Sequence, residues 1–135
     1  MEREKAIGDA LSRSRSSDAA TRINSIPDLA KLVDDDRVWV RLGELLDDEI
    51  VTTEIDAARV LSASRELDGI LVVLEELGRR ADDPDADYMA YVLYELEASG
   101  EGPFMASLAA SGNSMTDNQL SALEDLKVLL GPQFT

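Results

Sequence analysis

The sequence predicts an all-α fold, an irregular stack of antiparallel helical hairpins with no β-sheet. Apolar residues recur at helical spacing in four stripes, and no segment shows sustained apolar and polar alternation between hairpin turns. The connections between predicted helices are only two to six residues long, as in stacked helical hairpins. Because no long linker interrupts the pattern, we expect a single domain over 1–135. The four stripes are Val38, Leu42, Leu45 and Leu46; Leu67, Ile70, Leu71, Leu74 and Leu77; Met89, Val92, Leu93 and Leu96; and Leu120, Leu123, Leu126 and Leu130.

Capping residues mark where two of the helices begin. Thr53 with Asp56 three residues later matches a capping box, in which two side chains satisfy free backbone N–H groups at the helix start. Thr116 with Gln119 matches the same pattern, although Ser114 could cap that helix instead. These signals predict helices that begin next to Thr53 and Thr116.

Proline and glycine mark the other boundaries. Pro84 and Pro103 suit the first turn of a helix, where a missing N–H has no cost. Helix ends are indicated at Ser99–Gly100, Ser111–Asn113 and Gly131–Pro132. The predicted helices span 2–13, 18–33 with a break near Pro27, 36–47, 53–63, 66–80, 85–98, 103–110 and 117–130, and the polar segment Ser12–Ser17 is expected to be a loop.

The absence of two residue types excludes several kinds of chemistry. The 135 residues include no Cys and no His. Disulfides, thiolate zinc sites, cysteine nucleophiles and Ser-His-Asp triads are therefore impossible, and the usual general base near neutral pH is missing. We expect a protein that is not an enzyme and uses no cofactor.

The charge is strongly acidic and unevenly distributed. The chain has 28 acidic and 13 basic residues, and 42–135 carries twenty of the acidic but only five of the basic ones, a net charge of −15. Such a field repels phosphate backbones, so direct nucleic-acid binding is not expected. Two interpretations remain open: solubility or adaptation to a high-salt cytoplasm, and a negative surface directed at a basic partner, whose association it would accelerate.

Targeting signals are not visible in this sequence. The N-terminal residues are not followed by an apolar stretch of the kind found in secretory signals. The longest aliphatic run, Ile70–Leu74, is five residues and too short to span a bilayer. We therefore expect a soluble cytoplasmic protein that does not bind membranes.

Two acidic clusters and two tyrosines are the candidate partner-binding residues. An EF-hand starting at Asp83 would need Gly and Glu where the chain has Tyr88 and Tyr94, so no metal site is expected. The carboxylates can cap helices or contact a partner. Tyr91 and Tyr94 fall off the apolar stripe of their helix, either packed under a neighbour or exposed as interface anchors. The full candidate set is Asp47, Asp48, Glu49, Asp82, Asp83, Asp85, Asp87, Tyr91 and Tyr94.

The order of turns, caps and helices resembles HEAT-like helical repeats over roughly 26–130. Asp82–Asp85 followed by Met89–Leu93 is similar to their turn, acidic cap and second helix, and 54–61 and 36–42 are similar to further second helices. The family places an Arg early in each second helix, a place that Arg37 and Arg59 match here. The resemblance implies a HEAT/armadillo-like α-solenoid. In size, charge and fold the chain is also similar to small acidic immunity proteins of bacterial toxin systems.

These observations lead to one principal functional hypothesis and two alternatives. The principal one is a non-enzymatic binding protein that neutralises or holds a basic protein, most concretely an immunity protein that inhibits a cognate toxin. The alternatives are a nucleic-acid mimic that inhibits a DNA- or RNA-binding protein, and a small scaffold or assembly protein that oligomerises through 117–130. The first two predict a monomer or dimer.

Overall fold

Every regular element is helical in the computed structural model, which describes residues 2–100, 102–111 and 114–131. Within these residues no strand occurs, so the all-α prediction is confirmed. The elements are α1 Glu2–Ser14, α2 Ala19–Lys31, α3 Asp36–Leu45, α4 Val51–Ser62, α5 Leu67–Arg79, a 3₁₀ turn at Pro84–Ala86, α6 Asp87–Ser99, α7 Met105–Ala110 and α8 Asp117–Leu130.

Several predicted boundaries are confirmed. Thr116 and Gln119 form the predicted capping box at the start of α8. Pro84 occupies the first turn of the 3₁₀ helix, and Gly100 ends α6 with a left-handed φ of 77°. Gly131 follows α8 with a φ of 91°. The predicted stop signals Gly112, Asn113 and Pro132 lie outside the described residues.

Two predictions about the first helices are wrong. The break near Pro27 does not occur, because α2 continues through the proline, with the buried Ile26 and Leu29 on either side of it anchoring the helix. The loop expected at Ser12–Ser17 is helical up to Ser14, which is buried and donates to the Leu11 carbonyl oxygen at 2.6 Å. In both places burial outweighs the local preference of the residue type.

Two predicted helix starts are also wrong. α4 begins at Val51, and Thr53 lies inside it as a buried residue rather than as its cap. α7 begins at Met105, so Pro103 precedes the helix. There the carboxylate of Glu97 accepts from the backbone N–H groups of Phe104 and Met105 at 2.9 and 2.7 Å. The acceptor for the free N–H groups at the start of α7 therefore comes from the preceding helix, and no local sequence pattern indicates it.

The described residues divide into two compact units, 1–61 and 62–135. In the first unit, Arg37 donates to Glu4 at 2.6 Å near the starts of α3 and α1, and Arg41, further along α3, donates to the carbonyl oxygen of Ser14, the last residue of α1, at 2.7 Å. α1 and α3 therefore run in the same direction, and α2 returns the chain between them. Single-domain organisation stays a prediction. The buried apolar residues of this unit are Ile7, Ala10, Ile26, Leu29, Val38, Leu42, Leu45, Leu46, Ala57, Ala58 and Leu61.

In the second unit α5 packs most extensively against α8. Thr116 Oγ1 and Asn118 Nδ2 donate to the carboxylate of Glu75 at 2.7 and 2.6 Å. A Cβ atom added at Gly78 would overlap the Asn118 carbonyl group, so only glycine allows this close approach. The buried apolar residues are Ile70, Val73, Leu74, Ala86, Met89, Val92, Leu93, Phe104, Leu108, Ala122, Leu126 and Leu130.

The predicted apolar stripe of α8 is only partly buried. Leu126 and Leu130 are in the core, whereas Leu120 is exposed, contrary to its place in the stripe. The α3 stripe, in contrast, is buried throughout. No helix in the described ranges combines the length and the apolar composition that crossing a membrane would require.

Candidate functional site

The acidic segment between α5 and α6 folds around one of its own carboxylates. Asp83 accepts from the backbone N–H of Asp85 at 3.0 Å and so caps the 3₁₀ turn. Its other oxygen accepts from Arg80, at 2.9 Å from Nη2 and 3.1 Å from Nε. The Arg80 guanidinium and the Asp85 N–H hold the pKa of Asp83 below its usual value. Asp83 thus has a structural role within the chain.

The neighbouring carboxylates differ from Asp83. Asp82, Asp85 and Asp87 are exposed, and within the described part of the chain none of them forms an ion pair. Asp87 is the first residue of α6, where a negative charge also stabilises the helix through its dipole. No group of three or more metal-ligating side chains is placed to hold an ion in the described ranges.

Tyr91 and Tyr94, the two predicted interface anchors, lie in different environments. Tyr91 is 51% exposed, and Tyr94 is half-buried. Their rings contact each other edge to face, with centroids 6.3 Å apart and planes at 76°. This geometry is a favourable aromatic arrangement, and about half of Tyr91 remains exposed to solvent beside it. Tyr88, on the same helix, is also exposed.

Tyr91 lines a groove of about 240 Å³ in the second unit, formed by the end of α5, the start of α6 and α8. α6 contributes Asp87 and Tyr91 to it, and α8 contributes Asp125 and Leu129. Each pair is four residues apart, so both helices present a carboxylate and a large apolar or aromatic side chain on one face. The full lining is Leu77, Arg80, Ala81, Ala86, Asp87, Ala90, Tyr91, Ala122, Asp125, Leu126 and Leu129.

The groove brings together predicted and unpredicted residues. Asp87 and Tyr91 were candidates from the sequence, and Asp82, Asp83 and Asp85 belong to the loop that joins two groove-lining alanines, Ala81 and Ala86. Asp125 and Leu129 were not candidates. Asp125 is exposed and forms no ion pair within the described residues. Its place between Leu123 and Leu126, two residues of the predicted apolar stripe, gave no sign that a groove would lie beside it.

The other acidic cluster belongs to the first unit, between α3 and α4. Asp48 forms an ion pair with Arg22, with Nε–Oδ1 at 3.2 Å and Nη2–Oδ2 at 3.3 Å, and its side chain is only 11% exposed. It also accepts from the Ile50 N–H at 3.0 Å. Glu49 lies 3.4 Å from Arg22 but is 79% exposed, and Asp47 is exposed. Asp48 thus anchors α2 to the loop before α4, while its neighbours face solvent.

Arg22 is the residue in this cluster that sequence reasoning missed. It is buried at 6% exposure and also donates to the Ser16 carbonyl oxygen at 3.0 Å. A single Arg within an amphipathic helix carries no signal of burial, since its carboxylate partners come from 26 and 27 residues further along the chain.

Comparisons of the chain with protein-family models, curated proteins and solved structures find no match.

Proposed function

We propose that this chain is a non-enzymatic acidic binding protein that neutralises or holds a basic protein partner. Its most concrete form is an immunity protein that inhibits a cognate bacterial toxin in the cytoplasm, acting as a monomer or dimer. The observation that carries the proposal is the groove of the second unit, where carboxylates that form no ion pair with any described residue line or adjoin exposed apolar side chains. Asp87 and Asp125 line the groove, and the exposed Asp82 and Asp85 lie in the segment between two of its lining residues, Ala81 and Ala86.

The carboxylates of the groove supply the electrostatic part of the argument. The sequence from 62 to 135 has fourteen acidic and four basic residues, a net charge of −10. Of these basic residues Arg80 lines the groove, but its side chain is only 8% exposed and its guanidinium is paired with Glu76 and Asp83. The groove therefore presents negative charge to solvent. Such a surface accelerates the association of a cationic partner and excludes anionic ones.

Tyr91 and Leu129 supply the apolar part. Both are large side chains that line the groove and remain exposed. Aromatic and apolar anchors beside polar groups are typical of the centre of protein interfaces, where their burial contributes most of the affinity. A basic segment that also carries an apolar residue would satisfy both features of the groove at once.

Outside the groove, contacts with the partner are proposed for candidate residues whose side chains are exposed to solvent. In the first unit Asp47 and Glu49 face solvent and are proposed to contact the partner. The partner-binding roles of Asp48, Asp83 and Tyr94 stay predictions, since the first two already bind Arg22 and Arg80 and the third packs against Tyr91.

We also propose that the helices stack as irregular HEAT-like repeats. Short connections between successive helices support this arrangement, as does the contact of α1 with α2 and of α5 with α6. The extensive packing of α5 against α8, which is not its neighbour in sequence, would make the repeats irregular. In this arrangement the groove would occupy the side of one hairpin.

Affinity capture from extract of the source cells, at about 0.02 M and about 0.5 M salt, tests the function. The groove variant carries Asp82→Asn, Asp85→Asn, Asp87→Asn and Asp125→Asn. The matched control carries Asp68→Asn, Glu95→Gln, Asp117→Asn and Glu124→Gln, which removes equal charge from exposed positions of the same unit. We expect the wild type to retain a strongly basic protein at low salt only.

The two variants should then differ. The amount of partner protein that the groove variant captures should fall at least about tenfold relative to wild type, whereas the amount that the control captures should fall no more than about threefold. Where the captured protein is toxic on expression, wild-type chain should protect cells and the groove variant should not. Capture that is insensitive to salt, or lost equally in both variants, would contradict the proposal.

A second candidate function, an oligomerising scaffold, is favoured by a separate observation on α8. Val128 is 82% and Leu120 is 47% exposed on this helix, in addition to Leu129. Exposed aliphatic side chains on one helix are suited to packing against a second copy. Sedimentation of the pure protein decides between the two functions, since an assembly larger than a dimer that Val128→Lys dissociates would favour the scaffold.

A further inference from the structure

A second cavity of the second unit is distinct from the groove. It has a volume of about 530 Å³ and lies among the start of α5, the end of α6 and the start of α7. Its walls are mostly apolar, and three polar side chains, Ser62, Glu66 and Ser107, interrupt them. It shares no lining residue with the groove. The apolar lining is Ala63, Leu67, Ile70, Leu96, Pro103 and Phe104.

Ser62, one of the residues that line this cavity, has an unsatisfied polar atom. The residue is 7% exposed, and its Oγ is buried without a hydrogen-bond partner in the described structure. A buried hydroxyl without a partner is costly, and most buried polar groups in native proteins are satisfied. A ligand in the cavity could supply the missing hydrogen bond.

Glu66 occupies a backbone position that normally requires glycine. Its φ and ψ are 56° and −122°, and the Asp68 N–H donates to the Arg65 carbonyl oxygen at 3.0 Å. These are the features of a type II′ turn with Glu66 at the first central position, where glycine is strongly favoured. Arg65 also has a positive φ of 52°. Residues with a strained backbone of this kind cluster at ligand sites, and Glu66 is one of the residues that line the cavity.

We propose that this cavity binds a small amphipathic cation, that is, an apolar molecule that carries a protonated primary amine. The apolar part of the ligand fills the space between Ile70, Leu96 and Phe104, and its ammonium group pairs with the Glu66 carboxylate. A hydrogen-bonding group on the ligand satisfies Ser62. The charge of −10 on the sequence from 62 to 135 favours a cationic over an anionic ligand.

Three ligands with the same ring system test the charge preference: tryptamine, tryptophol and indole-3-acetate. Binding to the full chain is measured by heteronuclear NMR, following the backbone amide signals of 62–70, 102 and 104–107. Tryptamine should give saturable shifts confined to these residues. Tryptophol should bind at least about fivefold more weakly, and indole-3-acetate should produce no saturable shifts. Equal binding of all three ligands, or no saturable binding of tryptamine, would overturn the proposal.

Substitutions at the turn separate the strain from the ligand contact. Glu66→Gly should raise the melting temperature by about 3 °C, since glycine adopts this conformation without strain. Because it removes the carboxylate, the same substitution should lower the affinity for tryptamine at least about tenfold. Arg65→Gly, the matched control, changes the neighbouring strained residue but keeps the carboxylate, so tryptamine should bind within about twofold of wild type. Tryptamine binding that Glu66→Gly leaves unchanged would overturn the proposal.

The cavity itself is tested by filling it. Ala63 is exposed and lines the cavity, so Ala63→Trp should block tryptamine without a change in charge or a disturbed core. Circular dichroism verifies that this variant is folded. If folded Ala63→Trp binds tryptamine as tightly as wild type, the ligand lies elsewhere and the assignment of the cavity is wrong.

Discussion

The carboxylate of Asp48 and that of its neighbour Glu49 show how little a residue type says about its role. Both lie within 3.4 Å of the Arg22 guanidinium. Asp48 and Arg22 are both nearly buried, so removing one partner would leave an uncompensated buried charge. Glu49 is mostly in water, where an ion pair contributes little to stability. Burial, and not the sequence pattern Asp-Asp-Glu, separates the structural carboxylate from those available to a partner.

Replacing glycine by alanine is expected to change the free energy of unfolding in opposite directions at Gly78 and at Gly43. Gly78→Ala should destabilise the protein by about 1 to 3 kcal/mol or more, because its Cβ would overlap the Asn118 backbone. Gly43→Ala should stabilise it by about 0.5 to 1 kcal/mol, because the glycine lies inside α3 and a Cβ there meets nothing within 4 Å. Urea unfolding of both variants measures the two changes. A neutral Gly78→Ala would contradict the close approach of α5 and α8.

At the scale of the elements, α1 and α3 are joined by an ion-pair cluster with a clear pH dependence. Arg37 donates to both Glu4 and Asp35, and Asp35 also caps α3. The Arg37 guanidinium, through its hydrogen bond, is the largest influence lowering the pKa of Asp35, which falls from 3.8 to about 2. Its effect on the pKa of Glu4 has the same direction and the same cause.

A lowered pKa in the folded state gives stability that acid removes. The contribution of Asp35 is complete above its unfolded pKa of 3.8 and is lost as the pH falls towards about 2. Asp35→Asn, which keeps a capping side chain, should therefore flatten the fall in unfolding free energy between these pH values. Asp34→Asn is the matched control that leaves the Asp35–Arg37 pair intact and should keep the slope. Urea unfolding across this pH range measures both variants, and equal slopes would contradict the role of Asp35.

The helices were predictable where the signals that define them are local. Thr116 with Gln119, Pro84 and Gly100 each act on backbone groups within a few residues, and all three boundaries were correct. The start of α7 was missed because Glu97 satisfies its N–H groups from seven and eight residues away. Thr53 was misread because its place in the core, which the sequence does not show, outweighs its capping preference.

The candidate site was predictable to the same extent. Asp87 could be selected because it belongs to an acidic cluster, and Tyr91 because it lies off the apolar stripe of its helix. Asp125 and Leu129 could not, because their importance comes from a groove between helices that are distant in sequence. Glu66 could not be selected either, since nothing in the letters Arg-Glu-Leu-Asp indicates a type II′ turn without glycine.

For the whole molecule, the net charge of −15 sets a competition between two electrostatic effects. Exposed ion pairs such as Arg3–Asp34 stabilise slightly and weaken with salt, whereas repulsion among excess carboxylates destabilises and is also screened by salt. The repulsion involves many more groups over longer distances. The free energy of unfolding should therefore rise, by on the order of 1 kcal/mol, between about 0.01 and about 0.15 M sodium chloride.

Urea unfolding at the two salt concentrations measures this difference, since urea is uncharged. The groove variant, with four fewer negative charges, should show a smaller rise than the wild type. A fall in stability on adding salt would mean that the ion pairs dominate, and the excess acidity would then carry no cost for the folded chain.

The aromatic residues provide a built-in optical reporter for each unit. Trp39, the single tryptophan, is in α3 of the first unit, and the three tyrosines are all on α6 of the second. Indole fluorescence excited at the long-wavelength edge of its absorption follows the first unit, and the phenol signal follows the second. Coincident denaturation curves indicate one cooperative transition, so a single unlabelled sample reveals whether 1–61 and 62–135 unfold together or in succession.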